Sequence, residues 1–307
     1  MSSEIKNICI IGMGALGLLF GQIIKDNDSD GNVYFLMNEE RKNRHKNDLY
    51  LINGNEVHFD ARTPEELSAE KADLLLIATK YNDLGDAIEL AKYAANDQTT
   101  IISLLNGITS EEIIAKAFKR EQIIDCVPIG MDAMRDGTSL TYTKTGMLQI
   151  GVKDPGQQER LSKLAAYFKS ISFPHEVCDD IERAMWKKFM MNVGINQTCM
   201  VYEASYSQVF NDATANADLE GAMHEVMNMA KAVGVSLTEE DYDKGLEILH
   251  TLSPDGYPSM RQDALAKRKS EVEMFAKEMI RLSKIHNVPV PVNEKFYKKI
   301  LEMEAGY

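Results

Sequence analysis

Lys188, Asn192 and Asn196 recur at intervals of four in the stretch RAMWKKFMMNVGIN, residues 183–196. Spacing of four stacks side chains on one face of a helix. An ammonium and two carboxamides therefore form a polar stripe beside methionines, a phenylalanine and the tryptophan. An ammonium walled by apolar groups gives up its proton more readily than one in water, which suits a proton donor working near neutral pH. Lys187 points elsewhere, towards Arg183 and Met191, and reads as the solvated lysine of the pair. The plain structural alternative is a lysine whose stem lies along apolar surface, plus two packing or capping amides.

Other polar residues stand where they can reach a ligand. The segment YPSMRQDALAKRKSEVEMFAKEMI (257–280) reads as one long helix, with Ser259 near its start and Glu271 and Glu273 in its middle. Twelve residues separate Ser259 from Glu271, a little over three turns, so both project from one side. Periodicity does not choose Glu271 over Glu273, and a solvated, charge-laced face is the ordinary reading of either. In ATKYND, Lys80 follows an apolar strand; in LLNGI, Asn106 and Gly107 follow another. The carboxyl ends of such strands face the ligand crevice of an open parallel sheet.

That sheet is announced by GMGALG, residues 12–17. Gly12, Gly14 and Gly17 have the G-x-G-x-x-G spacing between a strand and a helix. The first allows a tight turn, the second lets backbone approach a pyrophosphate, and the third lets helix pack on strand. Gly12, Met13, Gly14, Ala15, Leu16 and Gly17 thus read as a dinucleotide cradle at a helix N-terminus. The second strand ends in FLMNEERKNR. An acid there favours a free ribose 2′-hydroxyl and a base favours a 2′-phosphate. Asn38 is followed by two acids and then Arg41, Lys42 and Arg44, so the signal is split.

The elements that must hold these groups are of two kinds. The first half alternates apolar runs with helical patterns: strands at NICIIG, NVYFLM, DLLLIAT, TTIISLL and QIIDCVP, a helix near residues 83–95, and a helix SEEIIAKAF with a serine cap. LYLI and EVHF around NGN read as a hairpin. SLTYTKTGMLQIGV reads as two antiparallel strands around a glycine turn. Beyond residue 178 long helical periodicities replace strand signals, apart from VPVPV near the end, whose prolines suit an extended segment. The fold class expected is α/β: a Rossmann-type, doubly wound sheet over residues 1–178, binding dinucleotide, and an all-helical substrate and catalytic domain over residues 179–307. The net charge of -13 disfavours nucleic acid as a partner. No run of about 18 apolar residues predicts a membrane span. The N-terminus enters a strand directly, with no secretory signal pattern, and the four scattered cysteines have no metal-ligand spacing, so a cytoplasmic protein without a metal is expected.

Taken together these motifs resemble the ketopantoate reductase (2-dehydropantoate 2-reductase) family, over essentially the whole chain. The resemblance rests on IGMGALG, on LLNG at 104–107, on WKKFMMNVGIN at 186–196 and on YPSMRQDALAKRKSEVEMF at 257–275. It implies reduction of 2-ketopantoate to D-pantoate with NADPH, on the way to pantothenate. By position it implies Lys188 as the catalytic lysine. Asn192, Asn196, Asn106 and Ser259 become substrate-binding, and Glu271, rather than Glu273, the catalytic carboxylate that holds the lysine or binds the substrate hydroxyl. Asn38, Lys80 and Asn106 join the glycine loop as cofactor-binding residues. Two positions depart from the family pattern. Asn38 stands where an arginine usually grips the 2′-phosphate, so NADP(H) is expected with NAD(H) as the alternative. Gln197 stands where proline usually follows the second asparagine, which bears on the helix end there. The alternatives are an NAD-dependent D-2-hydroxyacid dehydrogenase acting on other branched or aromatic 2-keto acids, and a non-catalytic dinucleotide sensor. A small 2-keto acid is the expected partner, and the helical half has faces enough for a homodimer.

Overall fold

A computed structural model describes residues 5–67 and 71–307. The chain divides into two compact units, Met1–Ile181 and Glu182–Tyr307. In the first unit the strands are β1 (Asn7–Ile11), β2 (Asn32–Leu36), β3 (Tyr50–Ile52), β4 (Asn55–Val57), β5 (Asp60–Arg62), β6 (Leu74–Ile77), β7 (Thr100–Ser103), β8 (Ile123–Met131), β9 (Met134–Asp136), β10 (Ser139–Thr141), β11 (Thr145–Gly151) and β12 (His175–Val177). Its helices are α1 (Ala15–Asn27), α2 (Glu39–His45), α3 (Leu84–Ala94), α4 (Ser110–Ile114) and α5 (Gln158–Ser170).

Eight strands form one sheet in the order β12-β11-β8-β7-β6-β1-β2-β5. From β5 to β8 every pairing is parallel, and β11 runs antiparallel to β8. The pleat explains the unbroken apolar runs. In β1, Ile8 and Ile10 enter a core with Phe20 of α1 and Phe168 of α5, whereas Cys9 and Ile11 enter another with Ile88 of α3 and Ile114 of α4. Both sheet faces are covered, so alternate positions are equally apolar. The strand order turns back between β1 and β6, the switch point where open α/β sheets bind their ligands.

Two expectations fail here. SLTYTKTGMLQIGV does not fold back on itself. β10 pairs with β3 and β9 in a separate sheet of order β4-β3-β10-β9, while β11 joins β8 and β12. Their parallel partners, β3 for β10 and β12 for β11, lie far off in sequence, and local alternation cannot reveal them. The hairpin at NGN does form, with Asn53 and Gly54 both at positive φ as the primed turn requires. In α4, the serine expected as cap is the first helical residue and Thr109 precedes it.

The second unit is helical: α6 (Ile181–Val201), α7 (Tyr206–Asn211), α8 (Ala213–Val233), α9 (Glu239–His250), α10 (Ser259–Leu265), α11 (Ala276–His286) and α12 (Pro291–Glu304). α6 is its axle. Gly194 brings α6 so close to α8 that a Cβ would stand 2.7 Å from Met223 Cγ. Gly245 of α9 lies against Met190 and Met191, and Phe189 packs between Trp186 and Phe275.

The long helix expected over residues 257–280 is broken in two. α10 stops at Leu265, Lys267 turns left-handed at φ 51°, and the chain becomes helical again only at Ala276. The break is held by carboxylates. Asp263 accepts Arg268 Nε at 2.9 Å, and Glu304 of α12 accepts both Ser270 N–H (2.8 Å) and its hydroxyl (2.6 Å). Ser259 and Glu271 therefore do not share one continuous helix. VPVPV is non-helical only up to Val290; Pro291 opens α12 from the first turn, where proline costs no hydrogen bond.

Candidate active site

The glycine loop lies at the switch point. Gly12 leaves β1 at φ 107°, and a Cβ there would stand 2.5 Å from the Ala78 carbonyl oxygen at the end of β6. A Cβ on Gly17 would collide with the Gly12 carbonyl. Gly14 precedes α1 with no side-chain cap, and Ala15 and Leu16 are the first helical residues, so the α1 N–H groups are left to an anion or solvent. A cleft in this unit is lined by Gly12, Met13, Asn38, Arg41, Thr79 and Asp86, among others. The Thr79 hydroxyl oxygen is buried there without a hydrogen-bond partner among the described residues. A tight turn, an uncapped helix start and an unpartnered hydroxyl at one cleft fit a dinucleotide.

The charges at the end of β2 sort themselves out by partner. Asn38 caps α2, its Oδ1 accepting from Arg41 N–H at 2.8 Å. Lys42 is paired with Glu66 and Arg44 with Glu40. Arg41 lines the cleft, as do Asp83 and Asp86 of the segment after β6. Lys80 is exposed just before that segment. Asn106 and Gly107 follow β7, Asn106 half-buried and Gly107 at φ 92°. One residue of this neighbourhood was invisible to motif reading: the Arg135 guanidinium of β9 donates to the Met13 carbonyl and so holds the glycine loop from outside.

In the helical unit both adjacent lysines are half-buried, and Lys187, expected to be solvated, has a carboxylate partner. Lys187 is 40% exposed and bonds Asp241 at 3.3 Å, beside Arg183, which reaches the same carboxylate at 2.8 Å. Burial pushes Asp241 up. The Thr238 N–H, Arg183, Lys187 and the Thr238 hydroxyl outweigh that and hold it at about 2. Lys188 is half-buried on the stripe with Asn192 and Asn196. Asn196 is 6% exposed and ties the row together. Its Nδ2 donates to Asn192 Oδ1 at 3.3 Å, and its Oδ1 accepts from the Ser259 hydroxyl at 3.0 Å and from Met260 N–H at 3.4 Å. It is thus a cap for α10 as well as a stripe residue. Asn196→Ala leaves those two donors without their acceptor and is expected to lower unfolding free energy by about 1–3 kcal/mol, read by denaturant titration.

Glu271 and Glu273 also differ. Glu273 is bonded to Lys277 and to the Tyr297 hydroxyl (3.0 Å). Glu271 is half-buried at the head of the turn, its backbone oxygen accepting from Met274 N–H. Gln197 does not end α6, which continues to Val201. Its Nε2 donates to Val193 O and to Asn293 Oδ1, and Asn293 in turn donates to Glu225.

With both sites described, the matches of the two halves decide the family. The model "Ketopantoate reductase PanE/ApbA" matches residues 8–155, and "Ketopantoate reductase PanE/ApbA C terminal" matches residues 180–304. The chain belongs to the ketopantoate reductase family. Its fold and class follow: an α/β oxidoreductase with a Rossmann-type N-terminal sheet and a helical C-terminal region. Curated relatives include the 2-dehydropantoate 2-reductases of Streptococcus pyogenes serotype M3, 24% identical with 87% of this chain and 88% of the relative covered, and of Pyrococcus abyssi, 24% identical with 97% and 98% covered. Solved structures of the same fold include 2-dehydropantoate 2-reductase from Geobacter metallireducens GS-15 (TM-score 0.84, 24% identity, 96% and 99% covered). A D-mandelate dehydrogenase with NADH and anilino(oxo)acetate shares the fold too (TM-score 0.88, 20% identity, 98% and 99% covered). No helix among the described residues is long and apolar enough to cross a membrane.

Proposed function

We propose that this protein reduces 2-dehydropantoate, a branched 2-keto acid, to the 2-hydroxy acid with NADPH. Residues 1–178 would hold the dinucleotide and residues 179–307 the substrate and proton donor. The observation that carries this reading is the hydrogen-bonded row of Asn192 and Asn196 of α6 and Ser259 of α10, beside Lys188 on a helix that also buries Met185, Trp186, Phe189 and Met190. A row of donors and acceptors with an ammonium at its end suits a small molecule bearing a carboxylate, a ketone and a hydroxyl.

The nicotinamide, when bound, supplies hydride to the ketone carbon. Lys188 as an ammonium stabilises the negative charge that develops on the ketone oxygen and donates its proton there. Asn192, Asn196 and Ser259 orient the carboxylate and hydroxyl ends. Glu271 holds the lysine or the substrate hydroxyl, and Asn106 contacts substrate and cofactor. Gly12, Met13, Gly14, Ala15, Leu16 and Gly17 cradle the pyrophosphate, while Asn38 and Lys80 contact the riboses. Arg41 meets the 2′-phosphate.

A second reading, NADH-dependent reduction of another branched or aromatic 2-keto acid, is favoured by the cleft itself. Asn38 uses its carbonyl on a helix cap, Lys42 and Arg44 have carboxylate partners, and Asp83 and Asp86 line the same cleft as Arg41. Steady-state oxidation of NADPH and NADH with 2-dehydropantoate and with 2-ketoisocaproate separates the two. The first reading expects NADPH to be preferred, and Arg41→Ala to raise its KM about 10–100-fold, since a charged contact is worth ~1.5–3 kcal/mol, with NADH unaffected. NADH preference, indifferent to Arg41→Ala, would establish the second.

A further inference from the structure

A chain of buried hydroxyls runs from the Asn106 loop to a buried carboxylate. Leu105 N–H, the backbone donor next to Asn106, is bonded to Ser103 Oγ at 3.3 Å. The Ser103 hydroxyl donates to Ser110 Oγ at 2.9 Å, and the Ser110 hydroxyl donates to Glu111 Oε2 at 2.9 Å. Ser103 is fully buried, and Ser110, Glu111 and Leu105 are 2%, 3% and 5% exposed. Ser103, Ser110 and Glu111 belong to none of the family motifs, and no step of the proposed reaction uses them. The chain spans the end of β7 and the start of α4, bridging the loop that carries Asn106 and Gly107 at both its ends.

We propose that Glu111, in its ionised form, is a positioning residue for Asn106, acting through Ser110 and Ser103. The inference rests on the reading of Asn106 as a cofactor and substrate contact. With a carboxylate at its end, every hydroxyl in the chain points one way: Leu105 N–H to Ser103, Ser103 to Ser110, Ser110 to Glu111. A protonated Glu111 competes as a donor. Its remaining carbonyl oxygen accepts from Ser110 more weakly than the carboxylate does, so a charge-assisted bond no longer fixes the direction of the chain. Buried chains of this kind are stiff when every donor is matched and loosen when one is not.

The charges around Glu111 put that change near neutrality. Burial pushes it up from an ordinary 4.5 to about 7, and the Asp125 carboxylate of β8 pushes the same way. Its own backbone N–H, the Ser110 hydroxyl and Lys153 oppose them. Asp125 is itself paired with Arg120. Because the folded-state value lies above the unfolded one, the native state holds the proton more tightly. The contribution of Glu111 to native stability is therefore greatest below 4.5 and declines as pH rises towards about 7. Glu111→Gln removes that penalty, so the variant folds at least as well as the parent above neutrality.

The test is the NADPH dissociation constant, by fluorescence titration, of the parent, Glu111→Gln, Ser110→Ala and Asn106→Ala. Each is measured across about pH 5.5–8.5, the range that spans the change of charge. The expected ratio of Glu111→Gln to parent is near unity at the acid end. It rises to about 10-fold at the alkaline end, the worth of one well-placed hydrogen bond, with its midpoint near 7. Ser110→Ala, which keeps the carboxylate but cuts the chain, should follow the same curve. A ratio that does not change with pH, with Asn106→Ala weakened, overturns the role of Glu111 alone. Unchanged affinity in Asn106→Ala overturns the reading of Asn106 and this inference with it.

Discussion

Lys188→Ala is expected to lower kcat for keto-acid reduction by roughly 10²–10⁴-fold, the usual worth of a positioned general acid, with the melting temperature almost unchanged. Hydride addition to a ketone places charge on its oxygen, and an alanine methyl can neither stabilise that charge nor deliver a proton to it. The neighbouring lysine is the control. Lys187 is bound to Asp241, a carboxylate only 4% exposed. Lys187→Ala should cost stability on the order of 1 kcal/mol, since Asp241 keeps Arg183, and leave kcat within about twofold. The two variants differ by one position and by about 100° around the helix. If Lys187→Ala were the inactive one, the catalytic stripe would be on the wrong face.

Gly14→Ala is expected to fold normally and to lose dinucleotide affinity by roughly 10²-fold, because a methyl group would occupy the space the pyrophosphate approaches. The backbone at Gly14 has φ −73°, open to any residue, and an added Cβ would meet only Ala78 O, at an ordinary 3.5 Å. Gly12→Ala should behave differently. Its φ of 107° and the 2.5 Å approach to Ala78 O make the substitution incompatible with the fold itself. A loss of about 2–4 kcal/mol in stability is expected, from strain and forced separation of β1 and β6. Melting curves and NADPH titration of both variants separate a packing glycine from a ligand glycine. If Gly14→Ala bound NADPH normally, the loop would be a packing turn only.

What could be read from the sequence was what local pattern encodes. Five of the strands in the parallel sheet were legible because burial on both faces makes them unbroken apolar runs, and the cradle was legible because glycine spacing is itself the signal. β5, only three residues long, carried no such run. The partners of β10 and β11 were hidden because pairing depends on what the rest of the chain offers. The break after α10 was hidden for the same reason. Helical periodicity continues through residues 266–275, but Asp263 and Glu304 hold that segment in a turn, and Glu304 lies 34 positions beyond Ser270. In the site, four-residue spacing brought out Lys188, Asn192 and Asn196. The capping of α10 by Asn196 and the grip of Arg135 on Met13 depend on long-range approach and had no local sign. Gln197 shows the reverse case. A departure from the family pattern that bore on the helix end proves to be a buried strut to Asn293, and α6 continues past it.

The central claim is that hydride passes from a reduced nicotinamide to the ketone carbon of a 2-keto acid. Incubation with 2-dehydropantoate and NADPH carrying deuterium at the transferable position, followed by mass analysis of the organic product, tests it most directly. The account predicts the 2-hydroxy acid with deuterium at C2, formed in step with loss of the reduced nicotinamide absorbance. Tight binding of NADPH without its oxidation by 2-dehydropantoate, 2-ketoisocaproate or an aromatic 2-keto acid would contradict it, and would make the protein a sensor of the dinucleotide instead.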